Sequence, residues 1–278
     1  MQPVRFFAFK HLLLIPALLC LFIYLTPFVV TGKSLTVPSS KYKTISLAMI
    51  KAAPGDTIWV EKGTYNGQVG MGNGVTLISR PLFGAVLDGN GRETVITLNG
   101  KGAVHGFEIT NGTIGVFSKG EGNIISRNRI IENWGAGIVC VGHLPKIEDN
   151  VIAYNAGSGV QGWKLRVTVF PAINHNTIAY NSNHGIAIGG SSEFDITNNI
   201  IAFNEKFGLK VSQDDPRIRM KDNSFYGNSS AWAVLPEGNY RCNPIFADPQ
   251  KYNFKLGTDS RCKAMSPEGH DLGVRFEN

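Results

Sequence analysis

Five stretches decide the fold: Asn128-Arg129-Ile130-Ile131-Glu132-Asn133, Asn150-Val151-Ile152-Ala153-Tyr154-Asn155, Asn176-Thr177-Ile178-Ala179-Tyr180-Asn181, Asn199-Ile200-Ile201-Ala202-Phe203-Asn204 and Asn223-Ser224-Phe225-Tyr226-Gly227-Asn228. Each reads Asn-x-(Ile/Phe)-x-x-Asn, and successive starts differ by 22, 26, 23 and 24 residues. Three positions before the first Asn stand Ile125, Ile147, Ile173, Ile196 and Met220. Nine positions after it stand Gly137, Gly159, Gly185 and Gly208, with Trp232 breaking the column, and Ile138, Val160, Ile186 and Leu209 follow the glycines. Self-similarity at a period of two dozen residues is the mark of a solenoid, whose units cannot bury their apolar face alone. The runs between the bends are short and alternate with period two, as in Leu209-Lys210-Val211, which excludes helical repeats. Stacking every strand in parallel on its counterpart, about 4.8 Å away, buries the Ile columns. Side-chain amides at the Asn bends can then ladder from coil to coil. The reading is an all-β, right-handed parallel β-helix with coils of about 22–26 residues.

Composition agrees. The 278-residue chain has 17% charged and 43% hydrophobic residues, with 32 Gly and 23 Asn. That balance excludes disorder and coiled coil, and favours short strands and tight turns. The net charge of +6 includes Arg5 and Lys10 of the leader. No Lys/Arg cluster suited to a phosphate backbone occurs, so nucleic acid is not expected as a partner.

Arg5 and Lys10 precede an apolar run from Leu12 to Val30, the layout of an export signal. Residues 1–32 are read as a signal peptide, cut after Gly32, or as an uncleaved anchor, which would be the one membrane contact. The expected location is secreted, periplasmic or cell surface. Residues 33–54 are expected to form an N-terminal cap. Within it Ile45, Ala48, Met49 and Ala52 form a helical apolar stripe that ends at Pro54-Gly55. The β-helix is expected over 55–240, with a capping segment over 241–278 covering the last rung. In an oxidising compartment Cys242 and Cys262 read as a disulfide stapling that segment.

The Asn repeats resemble those of the pectin-lyase-like superfamily of right-handed β-helix proteins. So do the opening Thr44-Ile45 through Ala52-Ala53-Pro54-Gly55-Asp56-Thr57-Ile58 to Gly63-Thr64-Tyr65, and the closing Asn243-Pro244-Ile245-Phe246-Ala247-Asp248-Pro249 with Asp271-Leu272-Gly273. The resemblance covers nearly the whole chain after the leader. It is specific for fold and implies lyases and epimerases of uronate polymers among the relatives.

Candidate chemistry lies on the longer connections. One, around Gly162 to Pro171, carries Trp163, Lys164 and Arg166; another, Ser212 to Arg219, carries Asp214, Asp215 and Arg217, with Lys210 pointing outward between them. Trp163 is expected to stack on a sugar, with Lys164, Arg166, Asp214 and Asp215 as further substrate contacts. An anionic polysaccharide is the expected partner and a monomer the expected state. If the chain is catalytic, β-elimination or epimerisation would use Lys210 as base and Arg217 as stabiliser. Hydrolysis is disfavoured. His184-Gly185-Ile186 resembles a segment of polygalacturonase-like glycosidases, but the outward column Val139, Gln161, Ala187 lacks the paired carboxylates. No cofactor or metal is assigned, since Asp214-Asp215 is too few acids for calcium. Tyr154, Tyr180 and Phe203 read as an aromatic stack, with sugar stacking as the functional alternative. The competing class is a non-catalytic structural or adhesive β-helix module.

Overall fold

The computed structural model describes residues 32–166, 172–191, 193–212, 217–229, 235–267 and 269–276. The export segment expected over 1–32 lies outside them apart from Gly32, as do Asp214, Asp215 and Trp232. The chain winds as a right-handed parallel β-helix of three faces, with the short helix Ile45–Lys51 at its N-terminal end. Thr44 caps that helix by accepting the Leu47 N–H, and Ile45 and Ala48 are buried against the first coils.

Face 1 stacks Ala103–His105, Ile124–Ser126, Lys146–Glu148, Ala172–Asn174, Glu193–Thr197 and Arg217–Lys221. Face 2 stacks Glu108–Thr110, Arg129–Ile131, Val151–Ala153, Thr177–Ala179, Ile200–Ala202 and Ser224–Tyr226. Face 3 runs from Val69–Gly70 through Thr94–Leu98, Ile114–Lys119, Ile138–Val141, Val160–Arg166 and Ile186–Ser191 to Leu209–Val211. The early strands Thr57–Asn66 and Thr76–Asp88 run through both of the first two faces, joining them into one sheet.

The corners explain the repeat. Each Asn is preceded by a residue in the left-handed region: Arg127, Asp149, His175, Asn198 and Asp222 before the first column, with φ between 52° and 58°. Tyr154, Tyr180 and Phe203, all at φ 56°, hold the same place before the second. That conformation ends the strand, sends its own side chain outward and turns the next side chain inward. For a non-glycine residue it is unfavourable by about 1–2 kcal/mol, so something must hold it. The Asn amides do so. Each Oδ1 accepts both the backbone N–H and the amide of the Asn one coil earlier, as in Asn150 N to Asn176 Oδ1 (2.9 Å) and Asn150 Nδ2 to Asn176 Oδ1 (3.0 Å). Each Nδ2 also donates to strand carbonyls, here Ile125 O and Glu148 O. The first ladder runs from Asn128 through Asn150, Asn176, Asn199 and Asn223 to Asn239, a member outside the sequence repeat. The second runs Asn133, Asn155, Asn181, Asn204, Asn228.

The glycine column is required by proximity rather than by φ. A Cβ on Gly159 would meet Ile178 Cγ2 at 2.5 Å, the Gly185 carbonyl oxygen at 2.7 Å and Asn181 Nδ2 at 3.0 Å.

The C-terminal segment was expected over the last rung, and the structure places most of it elsewhere. Tyr240 pairs with Ser224 and extends the last coil. From there the chain folds back over the outside of face 2. Phe254 packs on Ile131, Val151, Ala153 and Ala179, while the Cys242–Cys262 disulfide and Leu272 pack on Ile200 and Ala202. Farther back, Gly273 N–H donates to Asn198 O (2.9 Å), and Arg275 grips both carboxylate oxygens of Asp149 (2.9 Å each). The cause is compositional. Val151-Ile152-Ala153, Thr177-Ile178-Ala179 and Ile200-Ile201-Ala202 are buried at all three positions, so this part of face 2 is largely apolar on both sides and takes a second layer, while its first coils present the Glu108–Arg129 pair.

Three stability outcomes follow. Asn176→Ala removes five hydrogen bonds and strands buried donors and acceptors on both neighbouring coils, so urea denaturation should report a loss of about 3 kcal/mol or more. Asn239→Ala, at the partly exposed end of the ladder, should cost about 1 kcal/mol. Reducing the disulfide, which closes a 20-residue separation, should cost about 3 kcal/mol by chain entropy; an unchanged midpoint would refute a stapling role.

Candidate functional site

Face 3 is where the structure leaves an open groove, of about 320 Å³. Its floor follows from strand register. Gln161 pairs with Ala187 and Ala187 with Lys210, so these three point outward on consecutive rungs, spanning about 10 Å. Leu209 beside Lys210 is buried and Val211 packs against the core, so the period-two reading of this strand holds.

Trp163 points outward by the same alternation as Gln161, and the strand bulges directly after it. Gly162 pairs with Ile188, but the next register pair is Leu165 with Gly190, so Trp163 and Lys164 together stand opposite Gly189. Lys164 takes up the extra length at φ 55°. The bulge turns Lys164 outward as well, while Trp163 stands at the groove wall with 41% of its surface exposed. Gly189 keeps the opposite wall low, since a Cβ there would collide with Ser212 Oγ at 2.2 Å.

The other wall is His184, with Asn183 and Ser158 beside it. His184 sits one position before the glycine column, stacked on Phe207 (centroids 5.5 Å apart, planes at 27°). Its Nδ1 accepts the Phe207 N–H at 3.1 Å, so in the neutral ring the proton is on Nε2. Burial first, then the charges of Lys210 and Lys206, holds its pKa below the usual histidine value of 6.5. At neutral pH the groove therefore offers an uncharged imidazole donor beside an ammonium. Asn183 Oδ1 is buried without a hydrogen-bond partner.

Of the residues nominated from sequence, Trp163 and Lys210 come together in this groove. Lys164 and Arg166 are exposed on the same strand and do not line it. Arg217 begins the last face 1 strand, Arg217–Lys221, and its side chain lies outside the described residues, as do Asp214 and Asp215. Asn183 and Ser158 escaped the sequence reading, which met His184 only as part of a disfavoured hydrolase segment. The signal was the column Ala136, Ser158, His184, Phe207, one place before each repeat glycine. The aromatic stack of Tyr154 on Tyr180 (5.2 Å, 9°) and Tyr180 on Phe203 (5.0 Å, 15°) is roofed by Phe246 and Phe254. Burial there pushes the Tyr154 hydroxyl to about 12. That column is half-buried between face 2 and the C-terminal segment. Among the described residues, no three His, Cys, Asp or Glu side chains form a metal-binding group.

Residues 49–247 match the family described as "Periplasmic copper-binding protein (NosD)". The chain belongs to the NosD family. No curated protein sequence matches it. Among solved structures it is similar to the pectate lyase Pel9A, at 12% identity and TM-score 0.44 over 90% of this chain and 98% of that one. It is also similar to the pectin methylesterase from carrot, at 11% identity and TM-score 0.36 over 75% and 88%. Pectin methylesterase PemA from Erwinia chrysanthemi stands at 12% identity and TM-score 0.35 over 76% and 92%. At these values the likeness carries no argument about activity.

The groove of this NosD-family chain has a pH signature. The folded-state pKa of His184 is lowered, and so is that of His105, chiefly by burial with Arg127 and Lys146 adding to it against Glu148. The unfolded chain therefore takes up protons first as pH drops through 6.5, and stability falls from there until the lowered folded values are passed. NMR titration should place the His184 ring below 6.5. In His184→Gln the pH dependence of the urea midpoint should flatten in that window.

Proposed function

We propose that this NosD-family β-helix is an exported protein that binds an anionic polysaccharide in the face 3 groove. One observation carries the reading. A half-exposed indole, a hydrogen-bond-donating imidazole and an ammonium share one groove, and no carboxylate lines it among the described residues. An indole matches the apolar C–H face of a pyranose. Lys210 and the Nε2–H of His184 match a carboxylate or sulfate and the hydroxyls beside it. Lys164 and Arg166 add positive charge on the same strand and would steer an acidic chain inward. Export is supported by the family's description as periplasmic and by the Cys242–Cys262 bridge. No helix among the described residues is long and apolar enough to cross a membrane.

The family description names copper, and the described residues do not fit it. Copper takes thiolate, thioether and imidazole donors. Cys140 is buried in the core, where burial pushes its thiol pKa up, and the other two described cysteines are bridged. His184 has committed Nδ1 to a backbone N–H. No part of the proposed function runs through copper.

Binding rather than cleavage is the reading favoured by the exposure of Lys210. A catalytic lysine base is normally desolvated, whereas an exposed ammonium is suited to meeting a carboxylate. Trp163→Ala and Lys210→Ala should each weaken retention on pectate, alginate or glycosaminoglycan by about 1 kcal/mol or more, with the Lys210→Ala loss vanishing at high salt. Unchanged retention in both would remove this groove from consideration. Release of unsaturated uronate, read as ultraviolet absorbance and lost in Lys210→Ala, would instead establish β-elimination.

A further inference from the structure

Trp134 is the most exposed of the described tryptophans, with 70% of its surface open. Its ring is nevertheless tied in place. The indole Nε1–H donates to Asn111 Oδ1 at 3.2 Å, and the Asn111 amide is held by Asp88 Oδ1 at 2.8 Å. The Cζ2–Cε2 side of the ring lies near Gly91, where an added Cβ would meet it at 3.6 Å. The backbone beneath is fixed as well, Trp134 N–H donating to Gly112 O at 2.8 Å. Burial does not account for so large an apolar ring: it adds nothing to the core, and leaving it in water forgoes most of the benefit a buried aromatic would bring. A positioned ring with one open face and hydrogen-bonding groups at its edge is organised for a flat partner that is apolar on its face and polar at its rim, such as a pyranose.

Its place in the fold connects it to the groove. Trp134, Ala156 and Ser182 each follow the second Asn of their coil, and they stack at the corner between faces 2 and 3. Ser182 directly precedes Asn183 and His184 of the groove wall. The Trp134 backbone is two rungs, about 10 Å, from that wall. Its ring leans toward the preceding coil over Asn111, so a chain touching both must span more than two rungs. The intervening coil presents only Ala156 and Gly157 at the surface before Ser158, so nothing obstructs a chain lying along the corner.

We propose that Trp134 is a second sugar-binding platform, and that the polysaccharide runs along the stack axis from Trp134 over Ala156 and Gly157 into the face 3 groove. The proposal rests on the groove reading for its direction and ligand, while the platform itself stands on the geometry of Trp134. It predicts a dependence on ligand length: an oligosaccharide short enough to fill only the groove leaves Trp134 unused, and a longer one spans both sites.

The test is titration of the full chain after export with size-fractionated oligosaccharides from pectate, alginate and glycosaminoglycan, for the parent, Trp134→Ala, Trp134→Phe and Trp163→Ala. Trp134→Ala should weaken the long ligand about fivefold to tenfold and leave the short one unchanged. Trp134→Phe should lie between, and Trp163→Ala should weaken both lengths. An unaltered thermal midpoint in Trp134→Ala would exclude a folding effect. If Trp134→Ala binds the long ligand as the parent does while Trp163→Ala is weakened, the platform is refuted and the groove reading stands. If Trp134→Ala is weakened and Trp163→Ala is not, the platform stands and the groove reading falls. No binding by the parent to any of the three polymers overturns both.

Discussion

The asparagine ladder is the constraint on which the rest of the molecule depends. A three-residue strand cannot hold itself flat, and a sharp corner through a left-handed residue is unfavourable for a tyrosine or an arginine. The Asn amide solves both at once, because it satisfies the backbone of its own coil and accepts two hydrogens from the coil before. Since each amide is fixed by the next, the ladders order the corners cooperatively in an interior where an unmade hydrogen bond is costly. The first ladder continues to Asn239, past the last repeat. Coil lengths vary from 22 to 26 residues without disturbing the stack because the ladders fix the corners and leave the connections free.

With the corners fixed, the three faces take different fates. Face 1 presents ion pairs to solvent, such as Arg219 with Asp195 and Glu193 or Lys146 with Glu148. These exposed pairs add little stability but keep the face soluble. Face 2 pairs Glu108 with Arg129 on its first coils and from Val151–Ala153 on is covered by the returning C-terminal segment. Face 3 carries small or mixed outward residues, with Trp163 and His184 rising beside the groove.

The groove brings together a ring face, a neutral imidazole donor and a cation, and among the described residues no carboxylate lines it. The copper named in the family's description finds no donor cluster among the described residues. Belonging to a family and sharing a fold leave the site to be argued from its own side chains.

The periodicity by itself determined the parallel β-helix, the inward Ile columns, the buried Asn bends and the outward aim of Lys210. These are properties of one coil repeated, and every coil reports the same local chemistry. The sequence also placed Trp163 and Lys210 on one face, as the register does. It could not separate Trp163 from Lys164 and Arg166, because the bulge that divides them depends on the neighbouring strand. Only the tertiary structure decided which face stays open. That depends on contacts between segments far apart in the chain, such as Arg275 with Asp149 and Tyr252 with Glu132. The apolar triplets of face 2 announced that a cover was needed, but what covers them, and hence that the Tyr154–Tyr180–Phe203 stack is half-buried while Trp134 and Trp163 meet solvent, follows from where the tail folds back.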